Sequence, residues 1–338
     1  MRHLATIQRI LSLDPIPGAD AIEVASILGW KCVVKKGEFN VGDSVVYMEV
    51  DSLLPDRPEF EFMKPRGMRV RTVRLRGQVS QGLALPCSLL APDMNHTEGR
   101  DVTEQLGIVK YEPPIPAQLA GDAKGTFPGF IEKTDEERIQ SMHHILEKYR
   151  GTAVRICEKM DGSSATYYVR DGEFGVCSRN QELKESEENS FWKVARELDI
   201  EAKLRSLGQN IAIQGELIGE GVQGNKYKRK GQTVLFFNAY DIDKSRHLNV
   251  HAADSLFHGL GLRQVPELYD CNLVHNTVDD LVAVATMKSG INHDVWAEGI
   301  VVRSINDIEE TFVTGKTVNR GRLSFKVINP EFLIKNGE

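Results

Sequence analysis

The chain has 338 residues, with 42 Lys and Arg against 48 Asp and Glu and a formal net charge of −6. That length accommodates two domains with separate cores, and the negative balance excludes a protein that coats nucleic acid indiscriminately, because such binding rests on basic surface. No apolar run approaches the roughly 20 residues of a membrane span, and Met1-Arg2-His3 leads into alternating sequence rather than a signal-peptide core. An intracellular, cytoplasmic monomer without a membrane partner is expected. Cys32, Cys87, Cys157, Cys177 and Cys271 are widely spaced and form no C-x-x-C pair, so neither a disulfide framework nor a zinc site is expected.

Residues 1–106 read as all-β. Segments at 5–11, 22–24, 31–34, 44–48, 70–75 and 82–85 are separated by turn residues such as Pro17-Gly18-Ala19-Asp20 and Val41-Gly42-Asp43. Five or so short strands at this spacing suit a small barrel, and the stretch 17–43 resembles oligonucleotide-binding (OB) barrels of the transfer-RNA-binding type. Lys64, Arg66, Arg69, Arg71, Arg74 and Arg76 follow one another with no acid among them. Arg69 and Arg71 are two apart, as are Arg74 and Arg76, so each pair would share one face of an extended segment. Two readings stay open: a track for substrate phosphates, or a solvated face balanced by the acidic stretch 56–61.

Residues 107–130 are rich in proline and glycine and read as a linker. The second domain, 131–338, opens at Thr134-Asp135-Glu136-Glu137, which has the form of a helix start, and apolar Ile139, Met142, Ile145 and Leu146 would carry that helix to Tyr149. Strands then alternate with helices near 190–198, 252–260 and 278–288. His247 with His251, and His143-His144, lack the company a metal site needs and are expected to be bland.

Lys159-Met160-Asp161-Gly162 is the segment with the most chemistry. A lysine amine can attack the α-phosphorus of a nucleoside triphosphate, and a carboxylate two residues on can organise a hydrated cation beside that phosphate. Gly162 would permit a tight backbone path. Downstream come Gly215-Glu216-Leu217-Ile218-Gly219, Phe236-Phe237-Asn238-Ala239-Tyr240-Asp241-Ile242, Glu298-Gly299-Ile300-Val301-Val302-Arg303, and Ser324-Phe325-Lys326-Val327-Ile328-Asn329. This succession resembles motifs I, III, IIIa, IV and V of the covalent nucleotidyltransferases, the group of polynucleotide ligases and messenger-RNA capping enzymes.

The resemblance implies an α+β chain: an N-terminal five-stranded OB-type barrel, then a nucleotidyltransferase domain of ATP-grasp-like antiparallel sheets with helices. It implies Lys159 as nucleophile and Lys326 as the group that neutralises the α-phosphate. Glu158, Arg179, Glu216, Phe237, Lys316 and Arg138 would bind nucleotide, with Phe237 stacked on the purine and Phe236 as the alternative. Asp161, Glu216 and Glu298 would hold Mg2+ or Mn2+, directly or through waters. Ser178-Arg179-Asn180 resembles an element of RNA ligases that contacts the nucleotide sugar and the end being joined. Lys226 and Lys228 would meet RNA phosphates together with Arg69, Arg71, Arg74 and Arg76, although a solvated basic loop is an alternative.

Only twelve residues follow Lys326, whereas DNA ligases and capping enzymes carry an OB domain after motif V. The barrel here precedes the catalytic domain, an arrangement similar to a nick-sealing family of ATP-dependent RNA ligases, for which RNA with 3′-hydroxyl and 5′-phosphate ends is the partner and AMP the covalently held group. RNA ligases often carry a second lysine two residues after the motif V lysine; here that position is Ile328, so either Lys316 substitutes or Lys326 works with metal alone. A GTP-dependent capping-type guanylyltransferase and a non-catalytic RNA-binding relative remain as alternatives.

Overall fold

In the computed structural model, which describes residues 3–112, 122–306, 308–314 and 317–337, the N-terminal strands are arranged by alternation. In Trp30–Lys35, Trp30, Cys32 and Val34 are buried while Lys31, Val33 and Lys35 face outward. Two antiparallel sheets result, one ordered Ala5–Arg9, Ser44–Met48, Leu83–Pro86 and the other Ser12–Pro15, Ile22–Ile27, Trp30–Lys35. Counting Ala5–Arg9 and Ser12–Pro15 as one strand broken at Ile10-Leu11, which thereby serves both sheets, the expected five strands are present. Ser44–Met48 buries both faces: Val46 and Met48 pack with Ile7 and Phe60, while Val45 and Tyr47 pack with Trp30. The Tyr47 hydroxyl, buried with its ring, donates to the Gln81 carbonyl at 3.0 Å, as a buried polar group must.

The following half is built on two sheets. The larger is antiparallel and ordered Ala123–Thr126, Gln181–Leu183, Glu173–Cys177, Ser163–Arg170, Ile211–Gly219, Gln232–Asp241, Arg246–His247. The smaller is ordered Glu137–Arg138, Ser324–Ile328, Gly299–Ser304, Ala153–Lys159, Glu267–Asn272, with only the pair Glu137–Arg138 and Phe325-Lys326 running parallel. Helices Ser190–Glu197, Ile200–Ser206 and Val250–Gly259 cover the outer face of the larger sheet through Phe191, Trp192, Leu204 and Phe257. Val278–Ala285 and residues 139–148 cover the outer face of the smaller one. The helices expected near 190, 252 and 278 form, the third ending at Ala285 rather than Lys288, and they are started by Asn189, Asn249 and a Thr277/Asp280 capping box. No helix among the described residues is long and apolar enough to cross a membrane.

The helix expected from Thr134 does not form. Glu137–Arg138 is a strand, Ile139–Met142 a 3-10 turn, and only Ile145–Lys148 is α-helical. The apolar residues at helical spacing are buried as expected, but the charged residues before them are drawn elsewhere: Glu136 pairs with Arg303 at 3.3 Å and Arg138 with Asp51 at 3.3 Å. The expected linker lies partly outside the described residues, since 113–121 are not among them. The barrel is bonded directly to this region. Gly29 donates its N–H to the Gln140 carbonyl at 2.9 Å, and Ser141 donates to Glu49 at 2.8 Å. All five cysteines are free, four of them buried.

Candidate active site

The strand Ala153–Lys159 sends alternate side chains to opposite sides. Val154 and Ile156 enter the core beneath the smaller sheet, so Arg155, Cys157 and Lys159 point into the cleft between the sheets. At the strand's end, opposite Gly299, the Lys159 Nζ donates to the Glu298 Oε2 at 2.7 Å. Glu216 comes from the facing sheet, where it pairs with Ser164. Asp161 is fixed by its backbone, whose N–H donates to the Tyr227 hydroxyl oxygen at 2.7 Å, and its carboxylate meets the Lys226 Nζ at 3.0 Å. The sequence thus brings Lys159, Asp161, Glu216 and Glu298 into one cluster. Gly162 is required for a different reason from the expected one. Its backbone lies outside the left-handed region, and an added Cβ would sit 2.2 Å from the Leu217 carbonyl oxygen.

This cluster sets the charge on the lysine. Burial by itself disfavours the ammonium, but the carboxylates of Glu298, Glu216 and Asp161 outweigh it and hold the Lys159 pKa above that of an ordinary lysine. Burial pushes Glu216 up to about 8, the nearby Lys159 opposing and Glu298 and Asp161 reinforcing the rise. Burial also raises Glu158, against the pull of the Gly290 N–H, which donates to its Oε2 at 2.8 Å. Among the described residues no group of three or more His, Cys, Asp or Glu side chains forms a ready metal cage. The oxygen donors present nevertheless suit a hard cation that keeps waters and takes its remaining ligands from phosphate.

Phe236 and Phe237 are separated by the pleat. Phe236 is fully buried against Tyr167 and Phe257, which removes it as a stacking surface, whereas Phe237 lines a cleft cavity of about 170 Å³ with Cys157, Val265 and Arg303. The Arg303 guanidinium lies over the Phe237 ring, 5.3 Å from its centroid. Glu136 anchors that arginine. Burial opposes the Glu136 charge, but Arg303 and Arg322 hold its carboxyl below the usual glutamate range. A depressed folded pKa contributes stability that is present above the unfolded value and lost as pH falls through the folded one. Glu136→Gln is therefore expected to lose about 3 kcal/mol at pH 7, because it leaves Arg303 buried without its carboxylate. Chemical denaturation at pH 7 and at pH 3 checks this, since the gap between variant and parent should shrink at the lower pH.

Lys326 is half-buried and lies between Val301 on one side and Arg138 on the other in the smaller sheet. Ile328, where a second lysine was sought, is buried with Phe332 and Leu333 and seats the final helix, Pro330–Asn336. Lys316 lies outside the described residues. Arg138 is on a strand rather than on a helix. Its guanidinium rests on Asp51 and 5.8 Å from the Trp30 ring centroid, at the junction with the barrel. Arg179 is exposed in a turn and pairs with Asp135 at 2.6 Å.

The arginines of the barrel divide. Arg69 pairs with Asp51 at 2.7 Å and stacks on Tyr111, with its guanidinium 3.9 Å from the ring centroid. Arg74 pairs with Glu331 of the final helix. Arg71 and Arg76 are exposed. The extended run that would have aligned them is shorter than expected, Val73–Leu75, and Arg76 turns away with φ 49°. Lys226 is engaged by Asp161, while Lys228 is exposed. Tyr227, Glu136 and Arg303 belong to the site although no sequence motif assigned them a role. The one signal for Tyr227 was an aromatic residue set between lysines.

Comparison with known proteins follows this geometry closely. A family profile described as RNA ligase matches residues 152–328, and one described as an OB-fold domain matches residues 4–87. The solved structure of Naegleria gruberi RNA ligase with PPi is 40% identical, over 100% of this chain and 99% of its own, with a TM-score of 0.90. A mutant of that enzyme with ATP and Mn is likewise 40% identical over 100% of both chains, with a TM-score of 0.90. Another mutant, with AMP and Mn, gives 40% identity over 98% of each chain and a TM-score of 0.89. No curated protein sequence matches.

Proposed function

Since the chain belongs to the RNA ligase family and is an ATP-dependent RNA ligase that uses a divalent metal, we propose that it seals 3′-hydroxyl and 5′-phosphate ends at nicks in duplex RNA through a lysyl-AMP on Lys159. The observation that carries this reading is the Lys159 amine at 2.7 Å from Glu298, with Glu216 and Asp161 beside it. In the first step the amine, having lost its proton, bonds to the α-phosphorus of ATP while the bond to the pyrophosphate oxygen breaks. The 5′-phosphate of the RNA then takes AMP from the lysine. A 3′-hydroxyl finally attacks that phosphate, expelling AMP and closing the phosphodiester.

Each residue supplies part of this. Phe237 stacks on the adenine, backed by Arg303; Glu158, expected to bind nucleotide, is instead buried on the side of its strand away from the cleft and accepts from the Gly290 N–H, so it seats the strand end that carries Lys159. Lys326 offsets charge on the α-phosphate as the pyrophosphate leaves, and Arg138, its neighbour across the strand pair, reaches the triphosphate. Asp161, Glu216 and Glu298 would hold Mg2+ or Mn2+, directly or through its waters, and the charge it would supply would offset the carboxylates that keep Lys159 protonated. Arg179 contacts the nucleotide sugar and the RNA end. Residues 1–106 grip RNA with Arg71 and Arg76, and residues 131–338 carry the chemistry together with Ala123–Thr126, the edge strand of the larger sheet, in a protein that acts as a monomer.

Labelling with radioactive ATP or GTP in the presence of Mn2+, without RNA, tests the first step. An acid-labile adduct formed from ATP and mapped to Lys159 is expected. An adduct from GTP would replace the ligase mechanism with a capping-type transfer, and no adduct from either would remove covalent chemistry altogether. Sealing of a nicked RNA duplex faster than of single-stranded ends then tests the substrate.

A further inference from the structure

The turn between the strands Ile211–Gly219 and Gln232–Asp241 carries Lys226, Lys228, Arg229 and Lys230, with no acid from Val222 to Gln232. It is held open in a defined path. The Asn225 side chain accepts from the Arg229 N–H at 3.0 Å and donates to its carbonyl at 2.9 Å, with Lys228 in the left-handed region at φ 53°. Tyr227 is buried, its hydroxyl spent on the Asp161 N–H, and its carbonyl accepts from Asn292 at 3.0 Å. Asn292 thereby brings up a second wall. Between the two walls lies an open cavity of about 620 Å³, lined by Lys228, Arg229, Lys230, Asn292, His293 and Asp294. Lys226 is set apart from it, on Asp161 and over the Phe332 ring.

We propose that this groove is a track for the phosphodiester backbone of the RNA on the catalytic domain, delivering the strand to Lys159; the inference rests on the ligase reading and names a surface for it. The lining chemistry favours backbone over base. Lys228 and Lys230 are exposed and supply point charges suited to phosphate. Of the two rings at the groove, Tyr227 is buried with its hydroxyl already bonded and only the exposed His293 imidazole faces the cavity, so contact with a bound strand is mainly to its phosphates. Binding in the groove is therefore sequence-independent and salt-dependent. Tyr227 joins the groove to the active site, because the same residue fixes the Asp161 backbone.

The double variant Lys228→Gln/Lys230→Gln tests this, since both side chains are exposed and removing them leaves the packing intact. Titration of nicked duplex RNA at several salt concentrations should show the slope of log K against log salt reduced by about 2, close to one unit for each ammonium group withdrawn from a phosphate. Affinity near physiological salt should fall about tenfold, while AMP transfer from ATP to the protein without RNA stays within about twofold. Lys228→Glu/Lys230→Glu should weaken RNA binding further. An unchanged salt slope in both variants overturns the proposal. So does a raised KM for ATP with RNA binding intact, which would give the groove to the triphosphate tail. Failure of the parent protein to form any adduct would sink the ligase reading instead, and the salt slope would still report on the groove.

Discussion

Lys159→Ala is expected to leave no protein-bound AMP after incubation with labelled ATP and Mn2+, and to reduce sealing of 5′-phosphate RNA by at least about 10⁴-fold, the scale on which loss of a nucleophile is felt. Among the described residues the lysines nearest the cluster are held elsewhere. Lys226 is held at 3.0 Å by Asp161, and Lys326 lies on a different strand, between Val301 and Arg138. Two further readouts separate loss of the nucleophile from general damage. RNA carrying a preformed 5′-adenylate bypasses the lysine, so the variant should still close it at a rate within about tenfold of the parent, because the last step needs the 3′-hydroxyl rather than the amine. Removing the ammonium also strips Glu298, Glu216 and Asp161 of the cation that offsets them, so Mn2+ should bind more tightly to the variant, the Coulomb penalty for gathering its ligands being relieved only by the metal. Unchanged adduct formation would end the assignment of Lys159. Equal loss with preadenylylated RNA would mean that the substitution had disordered the cleft.

How much of this site was legible in the sequence depends on how each residue is held. Lys159, Asp161, Glu216 and Glu298 stand on or beside strands, where a period of two fixes the face once the apolar partners are known: Ile156 goes into the core, so Cys157 and Lys159 face the cleft. The same pleat resolves Phe236 from Phe237, a choice the motif left open. Residues whose roles are set by distant partners were not legible. The charged start Thr134-Asp135-Glu136-Glu137 has the local chemistry of a helix cap, yet Glu136 is taken by Arg303, 167 positions away, and the parallel pairing of Arg138 with Lys326 extends the chain instead. Tertiary pairing overrides a propensity worth only tenths of a kcal/mol per residue. The barrel arginines failed as a uniform track for a related reason. A basic run has no label for which members are internal, and only the fold shows Arg69 on Asp51 and Tyr111 while Arg71 faces out.

Gly162→Ala is expected to lower the rate of lysine adenylylation about 10²-fold while costing only about 1 to 3 kcal/mol of stability, the usual range for forcing one methyl into a packed site. The added carbon would lie 2.2 Å from the Leu217 carbonyl oxygen and 2.9 Å from both the Glu216 Cγ and the Ile218 Cγ2. Side chains can swing aside, but the carbonyl belongs to the strand Ile211–Gly219, which is paired with Ser163 next to the glycine itself. Relief therefore comes by sliding one strand against the other. That slide separates Glu216 from Lys159 and Asp161, and misplacement by about 1 Å is enough for a loss of this size. Gly172→Ala provides the comparison. It sits in the hairpin turn after Asp171 with φ 82° and nothing within 4 Å of its added carbon, so it should lose about 1 kcal/mol from backbone strain alone and keep full adenylylation. Stopped-flow or quench measurement of AMP transfer beside a thermal melt checks both. If Gly162→Ala keeps the parental rate, the close approach of the two strands does not position Glu216. If both glycine variants lose activity in proportion to their stability, the effect is one of folding and the geometry of the cleft is not what limits the reaction.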